Sequence, residues 1–174
     1  MVGSYIASTA GVRFSDSFVE LKYIIGGSNV GGFIGSAPST SESFEISDSY
    51  VRIFDGRTGN DFIAGSFAGG FVGLLNTNLD IRKSFVDYAN SNTITGFNSL
   101  AGPGGSEVLS ADRTYIVLPS GASVVGVGSN DSNITTASSS AELWNDHLSN
   151  EDDWALDSAG NIRFDWQVNG FEDK

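Results

Sequence analysis

The chain has 174 residues and carries 21 acidic against 9 basic side chains, a formal net charge of −12. It contains no cysteine, which excludes disulfides, thiolate catalysis and cysteine-ligated metal; its acidity argues against nucleic acid or an anionic membrane as a partner. With 22 Gly, 3 Pro, 12 Phe, 5 Tyr and 3 Trp, the composition predicts short strands, tight turns and an aromatic-rich core, and disfavours long helices.

Met1 to Ala10 lacks the basic region and apolar core of a signal peptide, and no stretch is apolar and long enough to cross a bilayer. Val12 to Leu21 reads as a strand, continued by Lys22 to Ile25 up to Gly26-Gly27. Val30 to Gly35 is short, apolar and flanked by glycines, as a buried strand is. Ala37 to Ser43 is a polar loop. Phe44 to Phe54 alternates apolar and polar, but Val51 and Ile53 fall out of phase with Phe44 and Ile46, which predicts a bend or bulge near Asp48-Ser49. Phe62 to Ala64 and Phe67 to Leu75 are further strands, and Leu79 to Tyr88 opens a third unit.

Two blocks recur in this order. Ser15-Asp16-Ser17-Phe18-Val19 returns as Ser47-Asp48-Ser49-Tyr50-Val51 and as Arg82-Lys83-Ser84-Phe85-Val86, while Val30-Gly31-Gly32-Phe33-Ile34-Gly35 returns as Ala68-Gly69-Gly70-Phe71-Val72-Gly73. Self-similarity at a spacing of 20–50 residues marks stacked repeats. Strands stacked in parallel place equivalent residues about 4.8 Å apart, so Phe18, Tyr50 and Phe85 are predicted to form one aromatic ladder, and Phe33 and Phe71 another. In the third unit Ile94 to Phe97 stands where the Gly-Gly-aromatic block is expected, without the paired glycines; Thr114 to Leu118 and Ser123 to Val127 read as later strands.

The last part changes character. Asn130 to Ser140 is rich in Ser, Thr and Asn. Ser139 to Glu142 fits a capping box and predicts a short helix to about Leu148 that buries Ala141, Trp144 and Leu148. Trp154 to Leu156 and Asn161 to Val168 read as closing strands. The expected fold is all-β: a parallel β-helix or β-solenoid of about three degenerate repeats (12–43, 44–79 and 80–118) within residues 1–136, with a short helix and a capping segment at 137–174. Unpaired strand edges invite aggregation; residues 1–11 and 137–170 are the candidates to cover the ends, with Trp144, Trp154 and Trp166 as cap packing or, alternatively, a sugar-stacking platform.

The pairing of Ser-Asp-Ser-aromatic-Val with Val-Gly-Gly-Phe-Ile-Gly resembles the GLUG repeat, with Phe at positions 33 and 71 where that family usually has Leu. The likeness covers about residues 12–90 well and 91–125 poorly. The run Trp144…Asp153-Trp154-Ala155-Leu156-Asp157…Asn161-Ile162 is similar to the segment that often ends such arrays. The resemblance implies a secreted or surface-bound bacterial protein, often an adhesin or the non-catalytic part of a surface peptidase.

No catalytic, cofactor-binding or metal-binding set emerges. His147 is the one histidine, and a single imidazole without cysteine does not furnish a usual zinc site. Gly56 to Ile63 nearly fits a calcium-binding Gly-Gly-x-Gly-x-Asp repeat, but Arg57 replaces a glycine and no tandem copy follows. Glu151, Asp152, Asp153 and Asp157 form an acidic group that calcium could use and that reads more simply as a solvated loop. Asn130 and Asn133 head glycosylation sequons. The leading expectation is a non-catalytic extracellular module acting in adhesion, surface display or spacing, with a glycan or surface protein as partner, self-association through the ends, no nucleic acid and no membrane insertion. The alternatives are a carbohydrate-binding or polysaccharide-cleaving β-helix and a filament subunit.

Overall fold

The computed structural model describes residues 11–22, 24–26, 28–37, 43–53, 62–64, 67–88, 94–95, 100–102, 109–118 and 133–170. From the N-terminus, β1 (Val12–Ser15), β2 (Phe18–Leu21), β3 (Ile24–Gly26), β4 (Asn29–Gly31) and β5 (Ile34–Ala37) are followed by β6 (Phe44–Ser47), β7 (Tyr50–Ile53), β8 (Phe62–Ala64), β9 (Phe67–Gly69) and β10 (Val72–Leu75). Next come β11 (Leu79–Asp87), β12 (Ile94–Thr95), β13 (Leu109–Val117) and β14 (Ile134–Ala137). The C-terminal segment holds α1 (Ser140–Leu143), a π-turn over Trp144–Leu148, β15 (Trp154–Leu156), β16 (Ile162–Phe164) and α2 (Asp165–Asn169).

The main sheet has seven strands, with β1-β6-β11-β13-β14 along its path and β2 and β7 beside them. Its ladders are parallel, so Phe18 lies opposite Tyr50, Tyr50 opposite Phe85, and Phe85 opposite Tyr115. Smaller parallel sheets join β5 with β10, β4 with β9, and β3 with β8 and β12, whereas β15 and β16 pair antiparallel.

The expected β-solenoid of about three degenerate repeats is corrected by this topology. The chain is mostly β, built around a parallel sheet of five strands along its path and seven in all, with small sheets, one of them antiparallel, and a short helix. The difference arises after residue 100. Leu109–Val117 pairs with β11 along its length, so the expected third repeat holds two strands of the main sheet, and Ile134–Ala137 adds another beyond it. The glycine block is also placed differently. Ile94–Thr95 pairs with Phe62–Ile63, while Leu100 stands opposite Phe71: the Phe71 N–H donates to Leu100 O at 2.8 Å, as the Phe33 N–H donates to Phe71 O at 3.0 Å. Ser123 to Val127 lies outside the described residues.

The phase shift near Asp48 is a corner rather than an inserted bulge. Asp16, Asp48, Lys83 and Arg113 all adopt left-handed backbone, with φ of 49°, 45°, 46° and 46°, a conformation uncommon for non-glycine residues. Each is followed by a hydroxyl that donates to the carbonyl two residues earlier: Ser17 to Ser15 (2.8 Å), Ser49 to Ser47 (2.6 Å), Ser84 to Arg82 (2.7 Å) and Thr114 to Asp112 (3.2 Å). The same oxygens knit strands together, since the Ser17 N–H donates to Ser49 Oγ and the Ser49 N–H to Ser84 Oγ.

The corner flips which residues face which side. Before it, Phe44 and Ile46 enter the inner core; after it, Val51 and Ile53 do so while Tyr50 faces the other way. The inner core packs Val51 and Val86 against the glycine blocks, where side chains do not fit: a Cβ on Gly32 would lie 2.5 Å from Gly70 O, and one on Gly70 2.4 Å from Val86 Cγ2. Phe14, Phe33 and Phe71 stack within this core, with centroids 5.3 and 5.5 Å apart. On the opposite face Phe18, Tyr50 and Phe85 stack at 5.4 and 5.1 Å, as their spacing predicts.

The C-terminal segment lies across this second face. Trp154 meets Tyr50 and Phe85, and Phe164 meets Phe18 and Tyr50, whereas His147 lies over Tyr115. The Ser139 hydroxyl caps α1 by accepting from the Glu142 N–H, but the Glu142 carboxylate turns to Ser138 instead of closing a reciprocal box. The helix expected to bury Ala141, Trp144 and Leu148 buries Leu143 and Leu148; Ala141 is exposed and Trp144 half-buried. These leucines are five residues apart, and the π-turn, closed by the Ser149 N–H on Trp144 O at 2.9 Å, brings such a pair onto one side. The expected strand over Asn161 to Val168 ends at Phe164, where Gln167 Oε1 accepts from the Phe164 N–H and starts α2.

Candidate functional site

Two arrays of charge arise from the cross-strand register. The first lies on the open face before the corners. Arg13 of β1 stands beside Glu45 of β6, which stands beside Asp80 of β11; Ser15, Ser47 and Arg82 form the next row along. Arg13, Glu45, Ile46, Ser47, Asp80 and Arg82 line a shallow depression of about 180 Å³, and a second one, bounded by Gly11, Val12, Arg13, Ser43 and Glu45, adjoins it.

Strand alternation produces this face: Phe44, Ile46 and Ile81 point inward, so the residues between them point out. Arg13 grips Glu45 Oε2 through Nε at 2.6 Å and Nη2 at 2.5 Å. Arg82 grips both oxygens of Asp80, at 2.6 and 3.3 Å. The Asp80 carboxylate, by these hydrogen bonds and by its charge, raises the Arg82 guanidinium further above its ordinary range. The groove thus presents fixed N–H donors and carboxylate acceptors in rows. That chemistry suits the hydroxyls or amides of a polar ligand lying along it.

The second array is buried beneath the C-terminal segment. Glu20, Arg52 and Asp87 stand opposite one another on β2, β7 and β11, a minus-plus-minus ladder beside the aromatic one. Arg52 donates to Asp87 Oδ2 at 3.0 Å, Glu20 Oε1 at 3.2 Å and Ile162 O at 2.7 Å, with its side chain 2% exposed. Its guanidinium carbon sits 5.4 Å from the Tyr50 ring centre and 5.9 Å from that of Phe85. Ser140 donates to Asp87, and Arg163 bridges Glu20 and Asp157 at 2.7 Å each.

Burial, and after it the charge of Glu20, pushes the Tyr50 phenol up to about 12. Burial alone would raise Asp157, but hydrogen bonds from Arg163, from the Asn161 side chain and from the Asn161 and Ala159 N–H groups hold its carboxyl well below the usual range. This array anchors the C-terminal segment. Sequence reading passes over it because residues 32 and 35 apart look like unrelated surface charges; the signal is that they occur at the repeat spacings, two residues after each aromatic.

The acidic group from residue 151 to 157 does not converge. Glu151 pairs with Arg113, Asp153 with Lys83 and Asp157 with Arg163. Two of these contacts hold the basic corner residues. Among the described residues no three His, Asp or Glu side chains gather at a point that could hold a metal. Gly56 to Asp61, most of the near-match to the calcium repeat, and Asn130 lie outside the described residues, and Asn133 is exposed. Of the tryptophans, Trp154 is buried, Trp144 half-buried and Trp166 36% exposed, stacked on Phe164. Compared with family models, with curated proteins and with solved structures, the chain matches none of them.

Proposed function

We propose that this chain is a non-catalytic extracellular module of a bacterial surface protein, acting in adhesion, surface display or spacing. The observation behind the reading is the open groove, where Arg13–Glu45 and Arg82–Asp80 pairs stand in strand register on a sheet. Paired charges of this kind recognise polar groups while the Coulombic demand of each partner is met within the protein, which favours binding over proton transfer. The acidic balance and the GLUG-like blocks fit the same reading.

A glycan is the second reading for the ligand, because a shallow row of guanidinium and carboxylate groups matches sugar hydroxyls. The experiment is adhesion of beads carrying the chain to bacterial and epithelial cells, run beside a glycan array. An Arg13→Ala/Arg82→Ala variant is expected to lose most of the adhesion while keeping its circular dichroism spectrum. Equal adhesion by variant and parent removes the groove from the function, and flat results for the parent in both assays overturn the proposal.

A further inference from the structure

The C-terminal segment from Ser139 to Gly170 covers the second face of the main sheet without joining its ladders. Among the described residues, β15 and β16 pair only with each other. The turns also close within the segment: the Leu143 N–H donates to Ser139 O, Ser149 to Trp144 O, Trp154 to Glu151 O and Asp165 to Asp153 O.

Side chains fasten it to the sheet. Trp154 and Phe164 lie on the Phe18–Tyr50–Phe85 ladder. Arg163 holds Glu20, and Arg52 of the sheet holds Ile162 O. At the corners Lys83 meets Asp153 at 3.7 Å and Arg113 meets Glu151 at 3.2 Å. Lifting the segment therefore breaks none of the described strand pairs of the main sheet and leaves the segment's own backbone bonds in place.

Neither surface is suited to standing bare. Tyr50 and Phe85 on the sheet, and Trp154 and Phe164 on the segment, are buried only while the two are together, and apolar surface of this kind seeks a partner. Ser138 and Ser139 alone connect α1 to β14; Ser138 is exposed, and Ser139 has extended backbone with φ −159° and ψ 158°. Short hinges are where copies of a chain exchange an element. In such an exchange each face meets the same side chains as in the closed chain, so the balance falls to the hinge and to concentration.

We infer that the segment Ser140–Asn169 is exchangeable: it docks on the second face of another copy as it docks on its own, so that two copies trade segments and form a swapped dimer. A second copy is the occupant because the match is already complete within this chain. The acids of the segment face cations of the sheet, its Arg163 faces the sheet's Glu20, and its rings fit the ladder. The inference is independent of what the open groove binds.

Charge reversal at the corner pairs tests it on full-length chains. One variant is Lys83→Asp/Arg113→Asp, since Asp already occupies the corners at 16 and 48; the other is Glu151→Lys/Asp153→Lys. Each sets like charges against each other when closed, and exchange between the two variants pairs opposite charges at every corner contact. Native mass spectrometry of the mixture is expected to show the heterodimer in about tenfold or greater excess over either homodimer. The chain carrying all four substitutions is expected to keep the parent's circular dichroism spectrum and to form little heterodimer with the parent, because exchange would then set like charges together. Sedimentation of the parent, held concentrated and then diluted, is expected to show a dimer that reverts slowly. A parent monomeric at every concentration overturns the inference. So does a heterodimer yield no greater than random mixing, or the same excess when the parent is mixed with the chain carrying all four substitutions.

Discussion

The two faces of the main sheet are held by different physics. The inner face is a fit of shapes: Val51 and Val86 press on glycine blocks whose neighbours leave no space for a methyl group. The outer face is a fit of partners: stacked rings and a charge ladder meet the carbonyl, guanidinium and amide groups of the C-terminal segment. The first fails when an atom is added. The second fails when one is taken away, because a buried charge then loses its counterpart.

The largest break is expected on the outer face. Arg52→Met leaves Asp87, 1% exposed, without its guanidinium partner, and loss of one member of a buried pair destabilises by about 3–5 kcal/mol. Urea denaturation followed by circular dichroism measures it; a loss below about 1 kcal/mol would make the ladder a surface pair in energetic terms.

Next comes the inner face, at about 1–3 kcal/mol for overpacking. Gly32→Ala and Gly70→Ala separate rigid from yielding neighbours. The Gly70 methyl meets the Val86 side chain and the Tyr88 hydroxyl, so Val86→Ala is expected to restore part of the stability. The Gly32 methyl also meets Gly70 O, which Val51→Ala does not move. Equal rescue of both would mean the backbone gives way.

Acid sharpens the contrast because it acts on the outer face, whereas alkali reaches both faces, Tyr50 on the outer and Tyr88 in the inner core, each pushed up by burial. Asp157 has a lowered pKa in the fold, so its contribution is complete above the ordinary value of 3.8 and fades as pH falls below it. Tyr50 is raised from 10 to about 12, so its contribution is complete below pH 10 and is lost as pH climbs toward 12. All three tryptophans lie in the C-terminal segment; their fluorescence is expected to change in acid before the sheet signal in circular dichroism does, and in alkali together with it. Coincident transitions in acid would mean that the segment and sheet unfold as one unit.

The smallest effect belongs to the open groove. Arg13 and Glu45 are 69% and 41% exposed, so solvent screens the pair, and Arg13→Ala is expected to alter stability by less than about 0.5 kcal/mol in the same urea experiment.

Legibility followed the same division. The corner at Asp48 was readable as a break in alternation, and the stacking of Phe18, Tyr50 and Phe85 as a spacing, because local sterics and periodicity write themselves into neighbouring residues. The unit at Arg113-Thr114-Tyr115-Ile116 is hidden as a repeat, since Arg for Asp and Thr for Ser preserve backbone and hydroxyl chemistry but change the letters. With that unit hidden, the two main-sheet strands between residues 79 and 117 read as a single repeat. The Glu20–Arg52–Asp87 ladder and the Arg13–Glu45–Asp80 row were invisible for a further reason: their meaning lies in which strands become neighbours, and each residue alone resembles ordinary surface charge. The π-turn follows a Leu143-to-Leu148 spacing that no α-helical pattern contains.

The left-handed corners have a practical consequence. Backbone tolerance and the hydroxyl that follows define them, and their occupants range from Asp to Lys to Arg. Glycine or asparagine should sit there with less strain. Successive corners recur at the strand interval of about 4.8 Å, so they amount to graduations on a molecular scale. Dyes or crosslinkers installed at chosen marks would lie at separations fixed by counting rungs.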